Sequence, residues 1–320
     1  MFQLVFAGIE EHVAGELNDH AVVAHDDLEA DLRELVAEEL SAPVDPRVRA
    51  TAAAIAGKHG AASKAVLFYG SCLREKQLDG LMLDFYLIVS DYRSAYAKRW
   101  LAAANRLIPP NVFHFDHQGL PSKYAVLSES DFAHECSSEA WTVSTAARFA
   151  QPSRLVWKAD KAVAQRVIDS VAEAAPTLLR WTLPLAGRAD VLGLWKRAFE
   201  LTFAAELRAE RLGRSSAIVD ADPQRYEQVG TAALKIMAQT SFDRDHAQRW
   251  WRGKQRHGKL YSIARLSKAS LTFAGGAEYI AWKINRHAGT DIRLKPWQQR
   301  HPLLAAITLL PKLIRSGAIR

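Results

Sequence analysis

The chain has 320 residues, 49% of them hydrophobic, and it carries 42 Lys and Arg against 35 Asp and Glu. This length and apolar fraction predict folded domains with hydrophobic cores and exclude a disordered protein. Two cysteines, Cys72 and Cys136, exclude a disulfide framework, and without an apolar run of about 18 residues we expect no membrane-spanning helix.

The first region of the chain, residues 1–62, is predicted to be mostly helical. A strand-like segment at residues 2–7 comes first. A helical pattern at residues 27–40 follows and ends before Pro43, and an Ala-rich helix then ends near Gly60.

The second region, residues 63–150, is rich in β-branched and aromatic runs. Four strands are predicted, and a helix at residues 95–107, between the second and third of them, stops at Pro109-Pro110. Strands interleaved with helices predict an α+β domain built on a mixed sheet. The predicted strands cover residues 65–69, 83–90, 112–116 and 124–128.

The rest of the chain is predicted to be helical. From Pro152 onward apolar residues recur at helical spacing, which predicts a mostly helical domain at residues 151–260 after a first domain at residues 1–150. Residues 261–320 are expected to form a third, basic region. It ends in HPLLAAITLLPKLIRSGAIR, residues 301–320, whose apolar face followed by bases predicts an amphipathic helix.

Charge is unevenly distributed along the chain. Residues 1–45 carry twelve acids and one base, a net charge of −11, whereas residues 249–320 carry fifteen bases and two acids, a net charge of +13. Within the basic end, RWWRGKQRHGK at residues 249–259 places adjacent tryptophans among arginines, a combination typical of nucleic-acid grooves and of membrane-surface proteins. The amphipathic C-terminal helix favours an anionic membrane surface as the partner, so we do not expect a nucleic acid partner.

The segment VLFYGSCLREKQLDGLMLDFYLIVSDY, residues 66–92, carries the clearest chemical signal. An apolar run stops at Gly70 and Ser71, a polar loop follows, and a second apolar run contains one carboxylate, Asp84. Nucleotidyltransferases place a Gly-Ser turn and a strand carboxylate in this way, the turn to hold nucleotide phosphates and the carboxylate to hold Mg²⁺. A single protein carboxylate can suffice, because substrate phosphates supply further ligands to Mg²⁺.

Three more motifs follow this segment: NVFHFD, SKYAVLSESDF and AWTVSTAARFAQP. Together, over residues 66–152, they resemble the mitochondrial-type phosphatidate cytidylyltransferases, the translocator assembly and maintenance family. The resemblance implies transfer of a cytidylyl group from CTP to phosphatidic acid, with Mg²⁺ as the cofactor. It also implies a nucleotidyltransferase-like domain followed by a winged-helix-like one, held at the inner face of a membrane. Because the N-terminal residues are acid-rich, unlike a transit peptide, we expect a cytoplasmic protein, or one of the mitochondrial matrix if the source is eukaryotic.

The family motifs imply further residues of the site. Lys123 and Tyr124 match a Lys-Tyr pair, with Lys123 expected to be catalytic beside the departing pyrophosphate and Tyr124 expected to contact the nucleotide. Arg148 matches the arginine of a Gly-Arg-Leu-Gln-Lys-Pro segment and is expected to bind nucleotide phosphate. Ala147 and Gln151 depart from that segment, which leaves the role of Arg148 open between binding phosphate and pairing with an acid of the helix.

A second metal ligand does not lie on the strand of Asp84. The alternate positions, Met82 and Tyr86, cannot bind Mg²⁺. Asp116, which ends a later strand, is predicted to be the second ligand, and Asp79 in the loop is the other candidate.

Two other functions stay open at this point. The first is a nucleotidyltransferase whose acceptor is a protein, an antibiotic or RNA rather than a lipid. The second is a non-catalytic basic module that binds anionic membrane or nucleic acid, an alternative that the missing second strand acid favours.

Overall fold

The computed structural model describes residues 26–75, 78, 81–187, 189–206, 214–237 and 243–272, together with residues 293, 295, 296 and 298. Helices and a five-stranded sheet make up the regular structure of these residues. The strand-like segment expected at residues 2–7 and the amphipathic helix expected at residues 301–320 lie outside the described residues.

The sheet contains both parallel and antiparallel strands. Its strands are β1 (Ser63–Tyr69), β2 (Leu83–Val89), β3 (Asn111–His117), β4 (Leu120–Ser128) and β5 (Ser153–Lys158). Their order is β3-β4-β2-β1-β5, with β2 and β4 parallel and the other neighbouring pairs antiparallel. This mixed sheet, followed by a mostly helical region, confirms the α+β class expected from the sequence.

The sequence does not predict β5, which lies where only helices are expected. This strand of six residues pairs antiparallel with β1 at the edge of the sheet. Its partner is far away in sequence, so no turn or alternation next to SRLVWK identifies it as a strand. The sheet therefore extends past the domain boundary expected at residue 150.

Helices flank the sheet on both faces. None of the helices in the described part of the chain is long and apolar enough to cross a membrane. They are α1 (residues 26–41), α2 (Pro46–His59), α3 (Ser71–Glu75), α4 (Tyr92–Ala95), α5 (Arg99–Leu107), α6 (Glu129–Cys136), α7 (Ser144–Phe149), α8 (Lys161–Ala172), α9 (Ala174–Thr182), α10 (Val191–Ala205), α11 (Arg214–Asp220), α12 (Pro223–Met237) and α13 (Arg244–Thr272).

Each face of the sheet packs against a different set of helices. The first face, which includes Phe68 and Phe85, packs against α2, α4 and α5. The second face, which includes Leu67 and Tyr86, shares one hydrophobic core with α1 and with the helices from α6 to α12. Since helices on both sides of residue 150 contribute to this second core, the helical region and the sheet stabilise each other.

A largely buried ion pair ties the helical region to the sheet. Arg225 of α12 donates from Nε to Oε2 of Glu39 in α1 over 2.6 Å, and from Nη1 to the carbonyl oxygen of Ala150 over 2.6 Å. Oε1 of Glu39 also accepts the backbone N–H of Ser153, at the start of β5, over 3.2 Å. Burial lowers the pKa of Arg225, but Glu39 and other acidic neighbours raise it by more, so the net shift is upward. The pair therefore holds α1, α12 and β5 together at one point.

The long helix α13 packs its two tryptophans inward. Trp251 is buried and donates its Nε1–H to the carbonyl oxygen of Trp181 over 3.0 Å. Trp250 stacks on the ring of Trp181, with the ring centroids 5.2 Å apart. This corrects the interpretation of residues 249–259 as a segment whose tryptophans stack on bases or meet lipid headgroups, because both rings are already packed against the protein.

Three cations on the same inner side of α13 bind backbone carbonyls at the edge of the sheet domain. Lys254 and Lys268 donate from Nζ, and Arg265 donates from Nε over 2.7 Å. Burial lowers the pKa of Lys254 to about 8 and that of Lys268 to about 7. The accepting carbonyls are those of Ile108, Pro109, Pro110, Ser138 and Ala140.

Replacing Glu39 by Gln is expected to lower the free energy of unfolding by about 3 kcal/mol, because it leaves the Arg225 guanidinium largely buried without its carboxylate. Chemical denaturation measures the change. Glu29→Gln is the matched control on the same helix, since it removes a more exposed pair with Arg33 and should cost about 0.5 kcal/mol. Equal losses in the two variants would contradict the importance of the Glu39–Arg225 pair.

Lys268 is expected to make stability depend on pH. Its pKa is about 7 in the folded protein against 10.5 in the unfolded chain, so between these values the unfolded state binds more protons. The free energy of unfolding should therefore rise with pH across this interval. Denaturation at several pH values should show a smaller rise for Lys268→Met than for the native protein, whereas Lys259→Met, at an exposed position of α13, should keep the native slope.

Candidate functional site

A row of polar side chains crosses the second face of the sheet. The strand registers pair Tyr69 with Asp84, Asp84 with Lys123, and Lys123 with His114. Residues in register on neighbouring strands project to the same face, so these four side chains lie side by side. The row lies at the end of β1 and the beginning of β2, where the apolar core stops and Gly70 begins the connection.

Asp84 and Lys123 form an ion pair at the centre of the row. Nζ of Lys123 lies 2.8 Å from Oδ1 of Asp84, and the two side chains are 26% and 18% exposed. Among the described residues, Oδ1 makes this ionic contact but no hydrogen bond of regular geometry. The carboxylate therefore keeps lone pairs for an incoming cation, and the ammonium beside it can receive an anion.

Gly70 brings the backbone against the Asp84 carboxylate. Its φ is 96°, in the left-handed region, and a Cβ at this position would lie 2.8 Å from Oδ2 of Asp84. Both facts require glycine here. Ser71 follows at once as the first residue of α3. The structure thus brings together four residues that the sequence singled out: Gly70, Ser71, Asp84 and Lys123.

Arg148 joins this cluster from the helical side. Its Nη1 donates to the carbonyl oxygen of Ser144 over 2.6 Å and lies 3.9 Å from Oε1 of Glu206. Burial lowers the pKa of Arg148, but neighbouring acidic groups, among them Glu206 and Asp84, raise it by more. The guanidinium therefore stays charged beside the row, where it can bind an anionic ligand.

Three residues of the cluster, Tyr69, His114 and Glu206, are not among the site residues predicted from the sequence. Tyr69 lies opposite Asp84, and its ring centroid is 5.4 Å from that of Tyr86. Its position directly before the Gly-Ser turn could have identified it as a site residue from the sequence. Glu206 directly follows α10. No local signal could find Glu206, because the cation it contacts is on α7.

Tyr124 lies on the first face of the sheet, away from the row. Its hydroxyl is 3.2 Å from Nε2 of His59, the residue is 3% exposed, and burial raises its pKa to about 12. Adjacent residues of a strand point to opposite faces, so a site that contains Lys123 excludes its neighbour. The expected nucleotide contact of Tyr124 is therefore corrected to a packing role.

Asp116 is on the second face but at a distance from Asp84. The two residues are two strands and two positions apart in the register. At about 4.8 Å per strand and 3.3 Å per residue, their Cα atoms are roughly 12 Å apart, too far to share one ion. Oδ1 of Asp116 instead accepts the N–H of Gly119 over 3.1 Å, in the turn between β3 and β4. Asp79, the other candidate ligand, lies outside the described residues.

The site offers a metal ion one carboxylate. In the parts of the chain that the structure describes, no group of three or more His, Cys, Asp or Glu side chains is placed to hold a metal. Mg²⁺ is compatible with this arrangement, because it keeps several waters and binds through one or two carboxylates plus substrate phosphates. The Asp84 carboxylate, 18% exposed and in contact with Gly70, fits an ion that arrives with a nucleotide.

Comparison with known proteins gives little. No protein-family model and no curated protein matches the chain. Among solved structures, the chain is similar to a nucleotidyltransferase-like protein from Exiguobacterium sibiricum, with 10% sequence identity and a TM-score of 0.27, over 84% of this chain and 92% of that chain. A similarity this low adds nothing to the geometry of the site, and membership of the phosphatidate cytidylyltransferase family stays a prediction.

Gly70→Ala is expected to weaken the Mg²⁺-CTP binding that the sequence predicts by at least about tenfold, because the new methyl group meets Oδ2 of Asp84 and displaces either the carboxylate or the turn. Isothermal titration calorimetry measures the dissociation constant. Gly119→Ala is the matched control: its φ of 77° imposes similar backbone strain, but no atom lies within 4 Å of the added Cβ. It should leave the dissociation constant within about twofold of the native value. Equal weakening in both variants would assign the effect to backbone strain alone.

Proposed function

We propose that the protein is a nucleotidyltransferase. The observation that carries this proposal is the contact of Gly70 with the Asp84 carboxylate, next to Lys123, at the end of β1 and the beginning of β2. A tight glycine turn can hold phosphates, a carboxylate can hold Mg²⁺ and a lysine can neutralise an anion. Nucleotidyl transfer requires phosphate binding, metal binding and charge neutralisation by groups that lie close enough together to contact one nucleoside triphosphate.

We propose further that the donor is CTP and that the acceptor is phosphatidic acid, which gives CDP-diacylglycerol and pyrophosphate. What supports this finer proposal is the order of four motifs over residues 66–152, which resembles that of the phosphatidate cytidylyltransferases. The geometry of the site is compatible with any nucleoside triphosphate, so the identity of the base and the acceptor rests on the motifs alone.

In this reaction, an oxygen of the phosphatidate phosphate attacks the α-phosphorus of CTP. A phosphorus–oxygen bond forms to the acceptor while the bond between the α-phosphorus and the bridging oxygen breaks, and pyrophosphate leaves with that oxygen. A strong general base is not needed, because a phosphate monoester is already ionised near pH 7. Mg²⁺ held by Asp84 would supply charge neutralisation on the nucleotide phosphates.

The ion pair between Asp84 and Lys123 prepares the site for this exchange. Each partner neutralises the other while no substrate is bound, so neither charge stands alone in a largely shielded position. Asp84 would hold the cation that arrives with a nucleotide, and Lys123 would neutralise the nucleotide phosphates. Lys123 and Arg148 then stabilise the charge that develops on the leaving pyrophosphate.

Asp84→Asn is expected to lower the formation of labelled CDP-diacylglycerol by at least about a hundredfold, because the amide removes the negative charge that holds the cation. The assay supplies radiolabelled CTP, Mg²⁺ and phosphatidic acid vesicles and counts lipid-extractable label. Asp116→Asn is the control, since it changes an exposed carboxylate of the same sheet face away from the site. It should stay within about twofold of the native rate.

Equal losses in the two variants would contradict the assignment of the metal to Asp84 and the exclusion of Asp116 from the site. Release of pyrophosphate without labelled lipid would keep the nucleotidyltransferase and replace phosphatidic acid by another acceptor. Intact label transfer in Asp84→Asn would refute the proposed site.

A further inference from the structure

We infer that the solvent-facing side of α13 is a docking surface for an anionic lipid bilayer. Its four basic residues, Arg249, Arg252, Arg256 and Lys259, are all exposed. Their spacing of three, four and three residues places them on one side of the helix, and Ile263 continues the row four residues later. This set of five residues, Arg249 to Ile263, is named the basic stripe. At about 1.5 Å per residue it is roughly 21 Å long.

The orientation of the stripe is fixed by the opposite side of the helix. Trp251 is buried, and Lys254, Arg265 and Lys268 bind backbone carbonyls of the sheet domain. Gly258 lies so close to α10 that a Cβ there would be 2.1 Å from the carbonyl oxygen of Ala205. α13 therefore cannot rotate about its axis to bury the stripe.

The described part of α13 itself carries little negative charge. Residues 246–272 contain no Asp or Glu. Asp243, just before the helix, lies 3.9 Å from Arg249, but both side chains are more than 60% exposed, so water screens this pair. Asp245 is the acid in the first turn of α13. The positive charge of the stripe is therefore available to an external anionic surface.

Exposed apolar side chains accompany these bases. Leu260 is 64% exposed and Ile263 is 44% exposed, next to Lys259 in the stripe. Trp141, in the connection between α6 and α7, is 58% exposed, and its ring centroid lies 5.1 Å from that of His257 on α13. Large apolar groups among bases are costly in water, but at a bilayer they enter the headgroup region while the bases meet anionic lipid.

These features favour a bilayer over a nucleic acid. Binding of single strands needs exposed aromatic rings in a basic groove, but Trp251 is buried, Trp250 is stacked on Trp181, and the stripe lies on a single helix. Leu260 and Ile263 gain nothing from a phosphate backbone, whereas burial in the bilayer interface removes them from water.

The surface is also connected to the candidate site. Arg265, on the inner side of α13, donates from Nη1 to Oγ of Ser144 over 3.3 Å. The carbonyl oxygen of the same serine accepts Nη1 of Arg148. A bilayer bound at the stripe would therefore lie against the helix that supports α7 and its site arginine, which suits an enzyme whose proposed acceptor is a lipid.

The test is co-sedimentation of the full chain with phosphatidylcholine vesicles, with and without phosphatidylglycerol. These vesicles contain neither phosphatidic acid nor CTP, so the result is independent of the proposed reaction. We expect the native protein to pellet with the anionic vesicles only and to be released by added salt. In Arg252→Glu/Arg256→Glu, the partition coefficient should fall at least about tenfold.

Lys158→Glu/Lys161→Glu is the matched control, because it makes the same change in net charge at exposed positions near β5 and α8. It should keep the partition coefficient within about threefold of the native value. Leu260→Gln/Ile263→Gln, which leaves the charge unchanged, should lower it severalfold.

Equal losses in the two charge-reversed variants would overturn the inference, since net charge alone would then explain binding. Full retention by Arg252→Glu/Arg256→Glu would overturn it in favour of another segment. Retention of single-stranded DNA at lower protein concentrations than vesicles, lost in the same variant, would reassign the stripe to nucleic acid.

Discussion

One face of the sheet is buried under helices from both halves of the chain, and the position of the candidate site depends on that packing. Phe149 lies among aromatic rings of β2 and α6, and this contact fixes α7 against the sheet. Its neighbour Arg148 is thereby held against the carbonyl oxygen of Ser144 and near Glu206. The Glu39–Arg225 pair secures the same layer where β5 begins. The shared core therefore places Arg148 of α7 and Asp84 of β2 on the same side of the sheet.

The polar row lies where this core ends, and that position explains its electrostatics. Asp84 and Lys123 are next to buried aromatic residues on one side and open to water on the other. Their attraction is stronger than on a free surface, because water is partly excluded. Each group remains accessible to a ligand that brings opposite charges of its own. A nucleotide with a bound cation is such a ligand, since it offers an anion to Lys123 and a cation to Asp84.

The helix α13 combines two kinds of basic residue that composition alone does not distinguish. Lys254, Arg265 and Lys268 are directed inward and satisfy backbone carbonyls, whereas Arg252 and Arg256 are exposed to solvent. The inward group makes the helix a rigid part of the fold. The outward group gives it a charged surface of fixed direction. A basic segment can thus stabilise the structure and present a binding surface at the same time.

The sequence by itself determined the α+β class, four of the five strands, and the turn and carboxylate of the site, because apolar runs, glycine and a lone acid in a strand are local signals. Strand alternation also sufficed, in principle, to separate Tyr124 from Lys123. Only the tertiary structure decided the rest. β5 and Glu206 depend on partners that are distant in the chain. The separation of Asp116 from Asp84 follows from the strand register. The packing of Trp250 and Trp251 against Trp181 requires α9 beside them. Local patterns specify which elements form, whereas long-range packing decides which faces meet.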